Sequence, residues 1–343
     1  MDTGVNRRDF LRLAGVTSAG ALALSSMPGI ATRPAFAADA EKKYTFYHLL
    51  WSVTDPNVQW HVKGGEAYMR VNPEVEIKFV GPENYDAAEH VKFLDTIMQT
   101  NPDGIALHIS NVDAMLPSLK AAKEKGIPIV SVTSHPPAAE DEEKLKGYYV
   151  TWVGADERLI GFRLGERVQE SITPVHVAYL MAHLGHAGHE MRAQGFFDSM
   201  PEGVKTDRVA IGDEPSQAKE AVRSFLVANP DVNAMFGQTS VNKLVSDVVK
   251  ETGRDITLVT ADESPDSLEA VLGGNYLATF SQEFPIQAPF AYHTLYYYNE
   301  TGMAPVQPIV TGPMVIDMSN AQLVKDLVVK FMGEDEYYKL SPW

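Results

Sequence analysis

The chain has 343 residues, a formal net charge of −16 and no cysteine. The acidic balance argues against nucleic acid and anionic membrane surfaces as partners. The missing thiols exclude disulfides, thiol catalysis, Cys-ligated metals and a lipid anchor on a processed cysteine, so the core alone must hold the fold.

Residues 1–37 read as an export signal. Asn6-Arg7-Arg8-Asp9-Phe10-Leu11-Arg12 is followed by a mild apolar segment, Leu13 to Met27, and by Ala35-Phe36-Ala37, a small-x-small processing site. Adjacent arginines ahead of Phe-Leu look like a twin-arginine signal. Beyond it no apolar run is long enough to span a bilayer. The expectation is a mature protein free in a periplasm, with no membrane insertion.

The mature chain opens on an apolar strand, Tyr44 to Trp51, and a polar turn through Asp55-Pro56-Asn57-Val58-Gln59-Trp60. A helix through Ala67 to Met69 leads to a second strand, Val75 to Val80. The helix Ala87 to Thr100 places Val91, Leu94, Ile97 and Met98 on one face, and Asn101-Pro102-Asp103-Gly104 stops it. Ile105 to Ile109 is strand three; a helix that Asp113 could cap, with Met115, Leu116 and Leu119, ends at Gly126. Ile127 to Val132 is strand four. Three βα units with short connections predict a parallel sheet flanked by helices.

Pro136 to Lys146 reads as a surface loop, and Tyr148 to Val153 as a further strand with Trp152 in the core. The rhythm then resumes: helix Leu159–Val168, strand Val175–Met181, helix Glu190–Met200, short strand Val209–Ile211, helix Ser216–Ala228, strand Val232–Phe236 and helix Leu244–Lys250. Ile256 to Val259 ends in the acidic turn Ala261-Asp262-Glu263-Ser264-Pro265; a short helix and a strand, Tyr276 to Phe280, follow and lead to Gln282. The repeated strand, turn and helix rhythm gives the two halves one plan; Asn-Pro-Asp between helix and strand also recurs at 101–103 and 229–231, a local match that turn chemistry alone can produce. An aromatic helix from Phe290 to Tyr298, a strand from Gly312 to Ile316 and a polar helix from Ser319 to Phe331 close the chain. The fold class is α/β: two similar three-layer domains with parallel sheets.

In open parallel sheets ligands bind at the C-terminal strand ends. That rule selects His108, Thr133, Ser134, Thr239, Ser240 and Asp262, joined by Trp51, Asn57 and Trp60 of the first turn and by Arg192 at a helix start. Indole faces cover the C–H side of a sugar ring while amides, hydroxyls and charged groups take its hydroxyls. For both indoles core packing is the competing reading. His183, His186 and His189 form the loudest cluster. Their intervening glycines suggest a loop and no carboxylate pair accompanies them, which favours solvated histidines or a polar cleft rim over a metal site. No nucleophile elbow, zinc motif, phosphate loop or cofactor signature occurs, so neither enzyme, cofactor nor bound metal is expected.

The order and spacing of these segments resemble the periplasmic sugar-binding proteins of ABC transporters, of the ribose-, galactose-, rhamnose- and autoinducer-2-binding type. The marks are the first turn into Gly64-Gly65, Gly81-Pro82, the run PDGIALHISNVDAMLPSLKAAKEKGIPIVSV, VGADERLIG, Arg192-Ala193-Gln194-Gly195, NPDVNAMFGQTS and VTADESPDSLEAVLGG with LATFSQ. They cover essentially all of residues 43–316. The resemblance implies a type I periplasmic binding fold whose domains are joined by three hinge crossings near 154–156, 281–283 and 312–313. One domain would comprise 41–154 with 283–312, the other 155–281 with 313–343. Family ligand positions match Trp60 and its turn, His108, Thr133, Arg192, Thr239, Asp262 and Gln282. Arg192, Asp262 and, at a hinge, Gln282 would hold sugar hydroxyls or the ring oxygen. Partners would be a small polyhydroxy ligand and a permease–ATPase complex, the binding protein itself being a monomer.

Thr133-Ser134 stands where ribose-type proteins carry Asp-Arg, Thr239 where they commonly carry Asn, and His108 where they have another polar residue. Ribose or glucose therefore does not carry over, and a neutral monosaccharide, deoxysugar or polyol is expected. A receptor for a furanosyl signalling molecule or nucleoside, feeding uptake or a membrane sensor, is the runner-up; an exported enzyme is a third reading. A transcription regulator of this fold would carry a helix-turn-helix instead of an export signal.

Overall fold

The computed structural model describes residues 42–343 except 56, 110, 134–138, 183–185, 213 and 238–240. The export signal expected over 1–37 lies outside the described residues, as do Ser134, His183, Thr239 and Ser240.

Two six-stranded sheets organise the described residues. The first contains β1 (Tyr44–Leu49), β2 (Val75–Val80), β3 (Gly104–Leu107), β4 (Ile129–Thr133), β5 (Thr151–Ala155) and β11 (Ile309–Gly312), in the order β11-β5-β4-β3-β1-β2. The second contains β6 (His176–Met181), β7 (Lys205–Ala210), β8 (Ala234–Phe236), β9 (Thr257–Val259), β10 (Ala278–Ser281) and β12 (Met314–Asp317), in the order β12-β10-β9-β8-β6-β7. The orders are the same once each strand is matched to its counterpart. Every pairing is parallel except β10 with β12.

Parallel strands need crossover helices, and these cover both faces of each sheet. On the first sheet α1 (Val58–Val71) and α10 (Phe284–Thr301) pack one face, where Tyr68, Ala288, Tyr292 and Leu295 meet Phe46, Val130 and Val132. The other face carries α2 (Ala87–Met98) and α3 (Val112–Glu124), through Leu94, Ile97, Met98, Met115 and Leu119. A short helix, α4 (Ala139–Leu145), adds Leu145 to that cluster. On the second sheet α5 (Glu157–Ser171) and α6 (Ala187–Asp198) cover one face. The opposite face is covered by α7 (Pro215–Ala228), α8 (Asn242–Thr252), α9 (Pro265–Leu272) and α11 (Ala321–Met332). The helix α12 (Glu334–Lys339) buries Tyr337 there. Each fully buried Leu, Ile, Val or Phe of these layers contributes on the order of 1.5–3 kcal/mol.

Several boundaries depart from the sequence reading for identifiable reasons. The strand expected at 209–211 is Lys205–Ala210, an edge strand whose outward Lys205, Thr206 and Arg208 conceal its apolar alternation. The loop expected over 136–146 contains α4, and α3 is capped by Asn111, whose Oδ1 accepts from the Ala114 N–H at 3.0 Å, rather than by Asp113. The single strand expected over 312–316 is two strands in different sheets, separated by Pro313, which has no N–H to donate to either ladder. The chain therefore crosses between the sheets three times: from β5 into α5, from β10 into α10, and from β11 into β12.

The helices α5 and α6 meet backbone to backbone. A Cβ on Gly161 would lie 1.9 Å from the Arg192 carbonyl oxygen, and one on Gly195 would lie 1.9 Å from that of Arg158. Only hydrogen at both positions permits this approach. It sets the first turn of α5 beside the middle of α6.

Candidate functional site

The acidic turn after β9 and the crossing after β10 are fastened to each other. Glu263 accepts the Gln282 N–H at 3.0 Å with one carboxylate oxygen and the Phe284 N–H at 3.1 Å with the other. Thr279 Oγ1 donates to the Asp262 carbonyl at 2.7 Å, and Ser264 caps α9 through the Ser267 N–H at 3.2 Å. Asp262 sits at φ 65°, in the left-handed region that short polar side chains tolerate best among non-glycine residues. Its carboxylate lies within reach of both the start of α1 and the crossing after β10.

Two amides reach that carboxylate from different directions. Gln282 Nε2 donates to Oδ1 at 2.6 Å from the crossing, and Asn57 Nδ2 donates to Oδ2 at 3.2 Å from the start of α1, against the first sheet. Asn57, Asp262 and Gln282 thus join both halves of the chain and one crossing. Among the described residues Asn57 Oδ1 and Gln282 Oε1 are buried with no hydrogen-bond partner. Buried acceptors of this kind call for a donor, and hydroxyl groups are suitable ones.

Arg192, on α6, is 4% exposed. Its Nε and Nη2 lie 2.8 and 2.6 Å from Glu157 Oε2, and its guanidinium lies 4.8 Å from the centre of the Phe280 ring. Burial opposes the charge, but Glu157, Tyr179 and Asp262 outweigh it and raise the guanidinium's pKa. Glu157 escaped the sequence reading because it lies 35 residues from Arg192. The small-residue face Gly161, Gly165 and Gly195 was the signal that could have revealed it.

On the first-sheet side, Trp51 is half-buried and donates Nε1–H to Asp55 Oδ2 at 2.8 Å. Asp55 Oδ1 accepts the Asn57 N–H at 2.8 Å, so one carboxylate positions both residues. Trp51 meets His61 and His108 edge-on at ring distances of 5.3 and 5.7 Å. His108, just past β3, is buried, and among the described residues neither ring nitrogen has a hydrogen-bond partner. It faces His186, the N-cap residue of α6, at 5.5 Å. Burial, then the neighbouring His186, His90 and His61, hold its pKa well below the usual imidazole range. Thr133 ends β4 at φ 81°, a strained conformation for a β-branched residue, with Oγ1 buried and without a hydrogen-bond partner among the described residues.

Trp60 does not join this group. It is 2% exposed and stacks on Phe331 of α11 at 5.6 Å and 12°, a contact between helices of the two halves. A groove of about 640 Å³ beside it is lined by Gln59, Lys63 and Met332 to Glu336, away from the strand ends. Among the described residues no group of three or more His, Asp and Glu is placed to hold a metal ion. Nor is any described helix long and apolar enough to cross a membrane.

The fold is shared with solved sugar-binding proteins. A carbohydrate transporter from Acidothermus cellulolyticus in complex with myo-inositol superposes with a TM-score of 0.75 at 19% identity, over 84% of this chain and 99% of the other. A glucose-galactose binding protein from Geobacillus stearothermophilus gives 0.71 at 22% identity, over 82% and 99%. A Burkholderia graminis solute-binding protein in complex with D-arabinose gives 0.73 at 18%, over 82% and 98%. In sequence, the xylose/arabinose-binding protein XylF of Sulfolobus acidocaldarius is 25% identical over 278 residues, which is 76% of this chain and 68% of that protein. Residues 52–301 match the family described as periplasmic binding protein domain, whose members act in the periplasm or outside the cell. With its two matched parallel sheets, three crossings and polar groups converging between them, the chain belongs to the periplasmic binding protein domain family.

Proposed function

We propose that this protein captures a small neutral polyhydroxy compound, a monosaccharide, deoxysugar or polyol, between its two sheets and delivers it to an ABC permease and ATPase. The observation that carries the reading is the meeting of Asn57, Asp262 and Gln282. A ligand hydroxyl entering there would bind both halves and a crossing at once, so binding would favour the closed arrangement. Arg192, Thr133 and His108 line the same region in this reading, Trp51 supplies the flat face, and Thr239, which lies outside the described residues, joins them from the sequence. The relatives named for xylose/arabinose and glucose-galactose, and those in complex with myo-inositol and D-arabinose, support the ligand class.

The moving bodies are taken as residues 41–154 with 283–312 and 155–281 with 313–343, hinged at the crossings. The protein would reach the periplasm through the twin-arginine signal and act there as a monomer.

A thermal-shift screen over aldoses, deoxysugars and polyols tests the ligand class, and Asp262→Asn tests the site. The substitution removes the charge behind the hydrogen bonds and should weaken binding by at least ~1 kcal/mol, read as a fivefold or greater rise in Kd. Unchanged affinity would place the site elsewhere.

A further inference from the structure

Arg192 is the cationic anchor among the candidate site residues. Its surroundings determine how much of that charge a ligand would meet. Both guanidinium nitrogens that face Glu157 share one carboxylate oxygen, at 2.6 and 2.8 Å, and Arg192 and Glu157 are 4% and 2% exposed. Glu157 lies in the first turn of α5, where the helix N-terminus favours a carboxylate. Gly161 and Gly195 press α5 against α6 backbone to backbone, so neither residue can drift from the other. Among the described residues, the charged side chains grouped here are the Arg192 guanidinium against the carboxyl groups of Glu157, Asp262 and Glu263, with Asp55 behind Trp51. Burial keeps the nearby His108 from adding a second cation.

We infer that Glu157 is a specificity-determining residue: by neutralising Arg192 from behind, it makes the cleft reject anionic sugars while admitting their neutral counterparts. The inference rests on the proposed sugar-binding reading and concerns the same site. A uronate or sugar phosphate would lose its hydration beside Asp262 with no net positive charge to receive it, which discriminates strongly at a buried site. Glu157 acts through Arg192 and need not touch the ligand.

The test is calorimetric titration of the full chain with matched pairs, D-galactose with D-galacturonate and D-glucose with D-glucuronate, together with D-xylose and myo-inositol. The wild type should bind a neutral member at least ~100-fold more tightly than its uronate. Glu157→Gln keeps an acceptor for Arg192 but releases its charge, and should narrow that ratio at least ~10-fold; Glu157→Asp should restore it. Equal wild-type affinity for both members of a pair would overturn the inference and leave the sugar-binding reading standing. So would a Glu157→Gln protein, folded by its melting curve, that loses both affinities by the same factor. Should Glu157→Gln not fold, the wild-type ratio and that of Glu157→Asp decide the matter. A wild type that binds none of the neutral probes would overturn the sugar-binding reading, and this inference with it.

Discussion

Gly161→Ala sets two known effects against each other. Alanine favours a helix interior over glycine by about 1 kcal/mol, so the change would stabilise an isolated α5. In the protein the new Cβ would sit 1.9 Å from the Arg192 carbonyl oxygen and 2.6 Å from the Phe196 nitrogen, both backbone atoms of α6. Bringing the oxygen to an ordinary contact of at least 3.4 Å requires the helices to part by about 1.5 Å. That movement lifts Ala193 and Phe196 off the second sheet and pulls Arg192 from Glu157. Overpacking of this order costs about 1–3 kcal/mol, and a broken buried ion pair adds to it, so the clash outweighs the propensity gain. Gly165→Ala is the internal control: its Cβ would meet chiefly the Ser199 side chain, whose hydroxyl can rotate at the cost of its 2.7 Å hydrogen bond to the Phe196 carbonyl. Urea unfolding should therefore show Gly161→Ala destabilised by roughly 1–3 kcal/mol and Gly165→Ala much less. A Gly161→Ala protein as stable as the wild type would refute the backbone-to-backbone contact.

Two further perturbations probe the crossing and the buried titratable groups. Glu263→Gln leaves only one acceptor for the two N–H groups of Gln282 and Phe284, so one buried donor is orphaned; urea unfolding should register a loss of about 1–3 kcal/mol, and no loss would dismiss the fastening role. Burial lowers the pKa of His48, His61, His90 and His108, to about 3 for His61 and about 4 for His90, while burial raises Glu263 and Asp266 to about 7. The histidines' contribution to stability is full above about pH 6.5 and is lost as pH falls toward the folded values; the two carboxyls' contribution is present below about pH 4 and is lost as pH rises through about 7. Between pH 5 and 6 four groups oppose two, the unfolded chain holds about two more protons, and stability should climb by roughly 2–3 kcal/mol per pH unit. A flat or falling profile there would contradict the buried neutral histidines.

The alternation of apolar strands with periodic helices made the α/β plan legible, because parallel sheets leave their period in the sequence. Asp262 was legible from its place past a strand end. What joins it was not: Asn57 and Gln282 lie 205 and 20 residues away, and nothing local ties them to one carboxylate. The same distance hid Glu157 behind Arg192 and Phe331 beneath Trp60. The edge strand Lys205–Ala210 was obscured because solvent takes one of its faces, and β11 because Ile309 to Gly312 is only four residues long and ends at Pro313. Thr133 offered a hydroxyl in the sequence, but its positive φ belongs to the folded chain alone.

The most direct test of the account is titration calorimetry of the wild-type protein with neutral aldoses, deoxysugars and polyols. The account predicts one-to-one binding of at least one of them with Kd in the micromolar range or below, weakened fivefold or more by Asp262→Asn. No heat from any of them, alongside saturable binding of a nucleoside or a furanosyl signalling molecule, would contradict it.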